Sequence, residues 1–276
     1  MELIPVSGGV RIAIHALGEG PPIVLVPGFG LDHTVWDHQV RVLTAAGFRV
    51  ICVDPRGHGR SDKPIDGYGI EQLSKDLLDV LDHLDLDDVI LVGHSFAGQV
   101  GFHAAALDSA RIGGLVLVGS NAVRASRSAD FPFGAPAVDV LPSLLDGEDT
   151  DRLASRRRNL ASAFAYPPSE LVVEWLMQVS LQMPSWAALA CYRSMLESDL
   201  TTEITRVTMP VLQVVGSMDP VHSARGAAWL VERLSNSRLI RIDGCGHYPM
   251  LESADVFERE LLAFAATVVR DRSALK

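Results

Sequence analysis

Long apolar runs are missing from this chain. No uncharged apolar stretch among its 276 residues is long enough to cross a bilayer, so no membrane association is expected. Cysteine is scarce: Cys52, Cys191 and Cys245 are odd in number and far apart, with neither an even disulfide framework nor a Cys-x-x-Cys metal motif. There is no His-Glu-x-x-His, and no Gly-x-x-x-x-Gly-Lys follows the Gly8-Gly9 pair, so neither a metal site nor a phosphate loop is indicated. Positive charge is in deficit, with 24 Lys and Arg against 34 Asp and Glu and a net charge of −10, which argues against nucleic acid as a partner. The stretch Met1 to Gly9 lacks a basic segment followed by an apolar core, so it does not read as a signal peptide. These absences lead us to expect a cytoplasmic protein with no metal site and no nucleic-acid partner; the serine chemistry read below calls for a small-molecule substrate and no organic cofactor. They leave its oligomeric state open.

The residues present are 48% hydrophobic, enough for a large core. Leu3–Val6 and Val10–Ala16 flank a Ser-Gly-Gly turn and predict an edge hairpin. Short aliphatic runs follow at 23–26, 49–53, 89–92 and 114–118, alternating with helical periodicity such as Ile70, Leu73, Leu77, Leu78, Leu81 and Leu84. Strands alternating with amphipathic helices predict an α/β fold, with a mostly parallel central sheet and helices on both faces. The alternation stops after Gly119 and resumes near Pro210. The expected division is therefore a core of residues 1–119 and 208–276, with a helical cap inserted at 120–207. Helices are expected there over 150–164, 169–182 and 185–196. Arg156, Arg157 and Arg158 read as a solvated helix face.

The organising stretch is Val89 to Gly98. Four aliphatic residues lead into Gly93-His94-Ser95-Phe96-Ala97-Gly98, and a helical pattern follows at once. Strand, tight turn and helix with serine at the apex form the layout of a nucleophile elbow, although Ala97 stands where that pentad has its second glycine. A serine hydroxyl needs a histidine base and an acid to orient that base. In open parallel sheets such groups gather at the carboxyl ends of strands. His247, in the glycine-rich loop 243–249, and Asp219, in Gly216-Ser217-Met218-Asp219-Pro220, meet that condition. Asp243 reads as a turn former, Arg56 and His58 as loop scaffolding, and His94 as a brace behind the elbow. For the oxyanion, the backbone N–H groups of Phe96 and of Phe29, in Pro27-Gly28-Phe29-Gly30, are the expected donors.

These landmarks, with Asp54-Pro55-Arg56-Gly57-His58-Gly59-Arg60-Ser61, resemble the α/β-hydrolase fold superfamily over essentially the whole chain. Size, loop wording and the place of the insertion resemble its small esterase-like branch, which includes cofactor-free haloperoxidases, perhydrolases, lactonases and enol-lactonases. Many relatives begin the oxyanion loop with histidine where this chain has Pro27. The resemblance implies a serine hydrolase cleaving a small, largely apolar carboxylic ester or lactone through an acyl-enzyme, with perhydrolysis as a side activity. C–C bond hydrolysis, lyase or cyclase chemistry with the same triad is the alternative, and a ligand sensor with vestigial activity the third reading. The insertion's aromatic and methionine residues should partly pack it down and partly roof the site. Gly28, Met183, Trp186, Met218 and Tyr248 are the expected substrate contacts.

Overall fold

The computed structural model describes residues 1–273. The chain opens with β1 (Glu2–Pro5) and β2 (Arg11–Leu17), then β3 (Pro22–Val26), α1 (Asp37–Ala45), β4 (Arg49–Asp54) and α2 (Ile70–His83). It continues through β5 (Val89–His94), α3 (Phe96–Leu107) and β6 (Ile112–Val118). Four helices follow: α4 (Ala137–Thr150), α5 (Arg152–Ser162), α6 (Glu170–Ser180) and α7 (Ser185–Glu197). The chain then returns to β7 (Val211–Gly216), α8 (Ala224–Val231), β8 (Ser237–Ile242), a short α9 (Pro249–Glu252) and α10 (Ala254–Ser273).

The eight strands form one sheet in the order β1-β2-β4-β3-β5-β6-β7-β8. Only the β1/β2 and β2/β4 pairings are antiparallel; β3/β4, β3/β5, β5/β6, β6/β7 and β7/β8 are parallel. Successive side chains of a strand point to opposite faces, and the core divides accordingly. Val24, Val26, Ile51, Val53 and Leu91 join residues of α2 and α3 in one cluster. Ile23, Leu25, Val50, Cys52, Ile90 and Val92 join α1 and α10 in the other. Two covered faces explain why the central strands read as unbroken aliphatic runs. α3 is buried on nearly every side, which its small residues permit; a Cβ on Gly101 would sit 3.2 Å from Leu91 Cδ2.

Parallel register brings the carboxyl ends of the strands to one edge. Val26 lies opposite Gly93, His94 opposite Val118, Val118 opposite Val214, and Gly216 opposite Ile242. The loops after β3, β5, β7 and β8 therefore open side by side.

The segment between β6 and β7 differs from expectation in two respects. First, α4 occupies a proline-containing stretch over which no helix was expected. Pro136 lies just before the first turn, and Pro142 is inside the helix. Packing of Leu141 with Tyr192 and Leu196 of α7 holds α4 despite the lost N–H. Second, Arg156 is not on a solvated face. It is 2% exposed and paired with the equally buried Glu148, with Nε at 2.9 Å from Oε2 and Nη2 at 2.5 Å from Oε1. Its Nη1 donates to Ser180 O, so one guanidinium ties α4, α5 and α6 together. Among the described residues no helix is long and apolar enough to cross a membrane.

Candidate active site

Ser95 sits between β5 and α3 at φ 53°, ψ −119°, a strained backbone for a residue with a Cβ. The turn is held by Ser95 N–H donating to Val118 O at 2.8 Å. Its tightness is measured by what a methyl group would strike. A Cβ on Gly93 would come within 2.5 Å of Ala97 O, and one on Gly98 within 2.4 Å of Ser120 Oγ. Ala97 itself is buried without such a conflict. Gly93 and Gly98 are thus the two elbow positions with no room for a side chain, and the second of them comes one residue later than the pentad specifies.

His247 Nε2 lies 2.9 Å from Ser95 Oγ, and His247 Nδ1 lies 2.9 Å from Asp219 Oδ2. The other Asp219 oxygen accepts the backbone N–H groups of Val221 and His222 at 2.8 and 3.0 Å. Burial works to raise the Asp219 carboxyl, but the charge and hydrogen bond of His247 and the N–H of His222 outweigh it. The group is held below the ordinary carboxylate value. His247 is anchored by its own N–H donating to Ala163 O at 2.9 Å. Asp243, the rival acid, is exposed in the turn completed by Gly244, whose N–H donates to Ser217 Oγ at 3.0 Å.

His94 lies behind this chain of groups, its Nε2 2.9 Å from His247 O. Burial, then the nearby His247, pushes its imidazole down to about 3, so it is neutral and donates that bond. The loop after β4 is scaffolding: Arg56 is bound to Asp76 at 2.7 and 2.8 Å, and Asp54 accepts Arg60 N–H at 2.9 Å. Burial raises the thiols of Cys52 and Cys245 to about 12, so neither offers a competing thiolate nucleophile. Among the described residues no group of His, Cys, Asp and Glu is arranged to hold a metal ion.

Gly28 brings the loop after β3 hard against the elbow; a Cβ there would sit 2.7 Å from His94 Nδ1 and 3.0 Å from Ser95 Cβ. Phe29 follows, its ring stacked on Tyr192 at 4.2 Å between centroids, and the loop closes with Leu31 N–H donating to Gly28 O at 3.1 Å. Phe96 opens α3, where first-turn N–H groups have no intrahelical acceptor.

Above Ser95 lies a cavity of about 390 Å³. Its floor holds Ser95, His247, Phe29 and Tyr248. Its roof is Val140 and Leu144 of α4, Arg156 and Leu160 of α5, and Tyr192 and Met195 of α7. Of the expected contacts, Tyr248 lines the cavity, Gly28 packs against Ser95 without lining it, and the other three fall outside. Met183 is 1% exposed and packed in the core. Trp186 is 43% exposed and donates Nε1–H to Pro64 O at 3.0 Å on the outer surface. Met218, on the loop of Asp219, is 46% exposed and turned to solvent. The helical period explains the misplacement on α7. Tyr192, Met195 and Leu196 share the stripe that faces the cavity, and Trp186 lies on another side of the same helix.

Comparison with known proteins fits this geometry. The family model described as "alpha/beta hydrolase fold" matches residues 21–203. The chain belongs to the α/β-hydrolase family. It is 30% identical to a non-heme haloperoxidase of Rhodococcus erythropolis, over 96% of this chain and 99% of that one. It is 31% identical to a pimeloyl-[acyl-carrier protein] methyl ester esterase of Nitrosomonas europaea, over 89% and 96%. An esterase from Exiguobacterium antarcticum superposes with a TM-score of 0.91 at 25% identity, covering 95% of this chain and 98% of that one.

Of the polar groups of this α/β-hydrolase's cavity, Arg156 was misread in the sequence and His222 was missed. Arg156 reaches the cavity roof from a run that looks like surface charge, and its partner Glu148 is on another helix, at a spacing no single-helix pattern displays. His222 lines the cavity three residues after Asp219. A histidine that close to the acid was the available signal.

Proposed function

We propose that this hydrolase cleaves a small, largely apolar carboxylic ester or lactone through an acyl-enzyme on Ser95. The observation that carries the reading is the unbroken chain Ser95 Oγ, His247, Asp219 at the floor of a mainly apolar cavity. His247 Nε2 takes the hydroxyl proton as Oγ attacks the carbonyl carbon. Asp219, bonded to Nδ1, holds the ring in the tautomer that presents a bare Nε2 and stabilises the imidazolium that forms. The N–H groups of Phe29 and Phe96 receive the oxyanion. The alcohol leaves with the proton from Nε2, and water entering on the same side is deprotonated by His247 to release the acid. Segment 120–207 acts as the cap that supplies the apolar roof. Hydrogen peroxide in place of water would release a peracid from the same acyl-enzyme, a side reaction in keeping with similarity to a haloperoxidase.

The test is fluorophosphonate labelling together with ester turnover. Wild-type protein should label at Ser95, and Ser95→Ala should lose labelling and about 10⁴- to 10⁶-fold in kcat on p-nitrophenyl esters. Turnover by Ser95→Ala close to wild type would overturn the assignment.

A further inference from the structure

The oxyanion loop cannot hold its own pose. Pro27-Gly28-Phe29-Gly30-Leu31 carries no polar side chain, and Gly30, at φ 70°, lies in the left-handed region. What packs on the loop must therefore fix it. On one side Gly28 lies against the elbow. On the other, three successive points touch the inserted helices and the turn after α6. The Phe29 ring stacks on Tyr192 of α7 at 4.2 Å between centroids. A Cβ on Gly30 would sit 3.0 Å from Ser180 Oγ of α6. Just past the loop, the buried Asp32 accepts Gln182 Nε2–H through Oδ2 at 2.9 Å, while its Oδ1 accepts Thr34 N–H at 3.0 Å.

The segment that presses on the loop, residues 180–183, is itself pinned. Arg156 Nη1 donates to Ser180 O, and Arg152 Nη2 donates to Leu181 O at 3.1 Å and Met183 O at 2.6 Å. Carbonyls at a helix end run out of intrahelical donors, and two guanidiniums serve them here. Glu148 pairs with both arginines. A buried ion pair rarely adds more stability than apolar side chains of the same volume, so fixed direction is what this one supplies. We propose that Gln182 and Tyr192 are positioning residues for the oxyanion loop, and that Glu148, Arg152 and Arg156 set the frame from which they act. The insertion thereby fixes where the Phe29 N–H points. This rests on the ester-hydrolase reading and its oxyanion donors. Gln182 is exposed and lies outside the cavity lining, so its effect on the reaction runs through the loop.

The experiment measures Gln182→Ala and Gln182→Glu on one p-nitrophenyl ester, per site titrated with a fluorophosphonate, together with the Ki of an alkyl trifluoromethyl ketone. Ser95 Oγ adds to the carbonyl carbon of that ketone and its proton passes to His247 Nε2. The carbonyl oxygen becomes the anion that the Phe29 and Phe96 N–H groups receive. Misplacing one donor should lower kcat roughly 10-fold in Gln182→Ala, with KM within about twofold of wild type. Gln182→Glu, which sets a carboxylate against Asp32, should lose more. Ki should rise by about the factor by which kcat falls. Trp186→Phe removes a different bond between α7 and the core, to Pro64 O, and should change neither quantity. Kinetics and Ki like wild type in both Gln182 variants overturn the proposal, as does a change in KM alone or an equal loss in Trp186→Phe. Ser95→Ala separates the two levels. If it is inactive and the ketone inhibits wild type, unchanged Gln182 variants remove only the bracing role; if it turns over the ester, the hydrolase mechanism beneath falls.

Discussion

At the scale of single residues, the site depends on which atoms face His247. Its Nδ1 is 2.9 Å from Asp219 Oδ2, while Asp243, four residues away in sequence, is exposed on the far side of a glycine turn. Replacing Asp219 with Asn removes the charge that stabilises the imidazolium and permits the wrong tautomer. The expected loss in kcat is roughly 10³- to 10⁴-fold, while Asp243→Asn should leave kcat within about twofold of wild type. Steady-state kinetics on one p-nitrophenyl ester decides it, and a steep loss in Asp243→Asn with a mild one in Asp219→Asn would reverse the assignment. Ser95, Asp219 and His247 could be picked out of the sequence because each follows a strand and chemistry restricts the residue types. His222 and Arg156 could not, because their meaning lies in what surrounds their side chains.

Among elements, α4, α5 and α6 are tied by a buried charge rather than by apolar packing alone. Glu148 accepts both arms of Arg156, and Arg152 Nε lies 3.2 Å from Glu148 Oε1. Removing Glu148 leaves Arg156 buried without a counter-charge, and breaking a buried pair on one side typically costs about 3–5 kcal/mol. Glu148→Ala is expected to fall in that range by urea unfolding, and Glu148→Leu combined with Arg156→Met to recover most of it. A loss below about 1 kcal/mol in the single variant would show that the pair is not what joins these helices. The strands and most helices were readable because period and burial coincide. α4 was not, because Pro142 contradicts it locally and the contacts of Leu141 with α7 that outweigh the proline are long-range.

For the molecule as a whole, three buried histidines set the response to acid. Burial lowers His58 to about 4, His94 to about 3 and His222 to about 4, from an ordinary 6.5, and the neighbouring His247 adds to it for His94 and His222. In the unfolded chain these rings take up protons as pH falls below 6.5, while in the folded protein they resist until about 4. The unfolded state therefore binds more protons in that window, and each ring withdraws stability by up to about 1.4 kcal/mol per pH unit. His33 acts in the opposite direction: its hydrogen bond to Asp54 raises it, so it supports the fold below 6.5. Burial holds His15 below 6.5 as well, so four groups against one give a net fall, deepened below about 4 as Asp54 and Asp219, both held low, are protonated. The midpoint of thermal unfolding should drop steadily from pH 7 to pH 4.5; a flat profile would contradict the neutral state of these rings.

The sequence by itself determined the parallel sheet, the order of its loops and the chemistry at their ends. Short unbroken aliphatic runs and period-3.6 burial are local signals, and a strand that leads into a glycine-rich turn marks a functional loop wherever it lies. Only the tertiary structure decided which face of α7 looks into the cavity, that Glu148 neutralises Arg156, that Gly93 and Gly98 have no room for a side chain, and that the ring of His222 is buried without a hydrogen-bond partner. Each of these depends on contacts between segments distant in the chain, where the partner of a side chain is set by packing rather than by spacing.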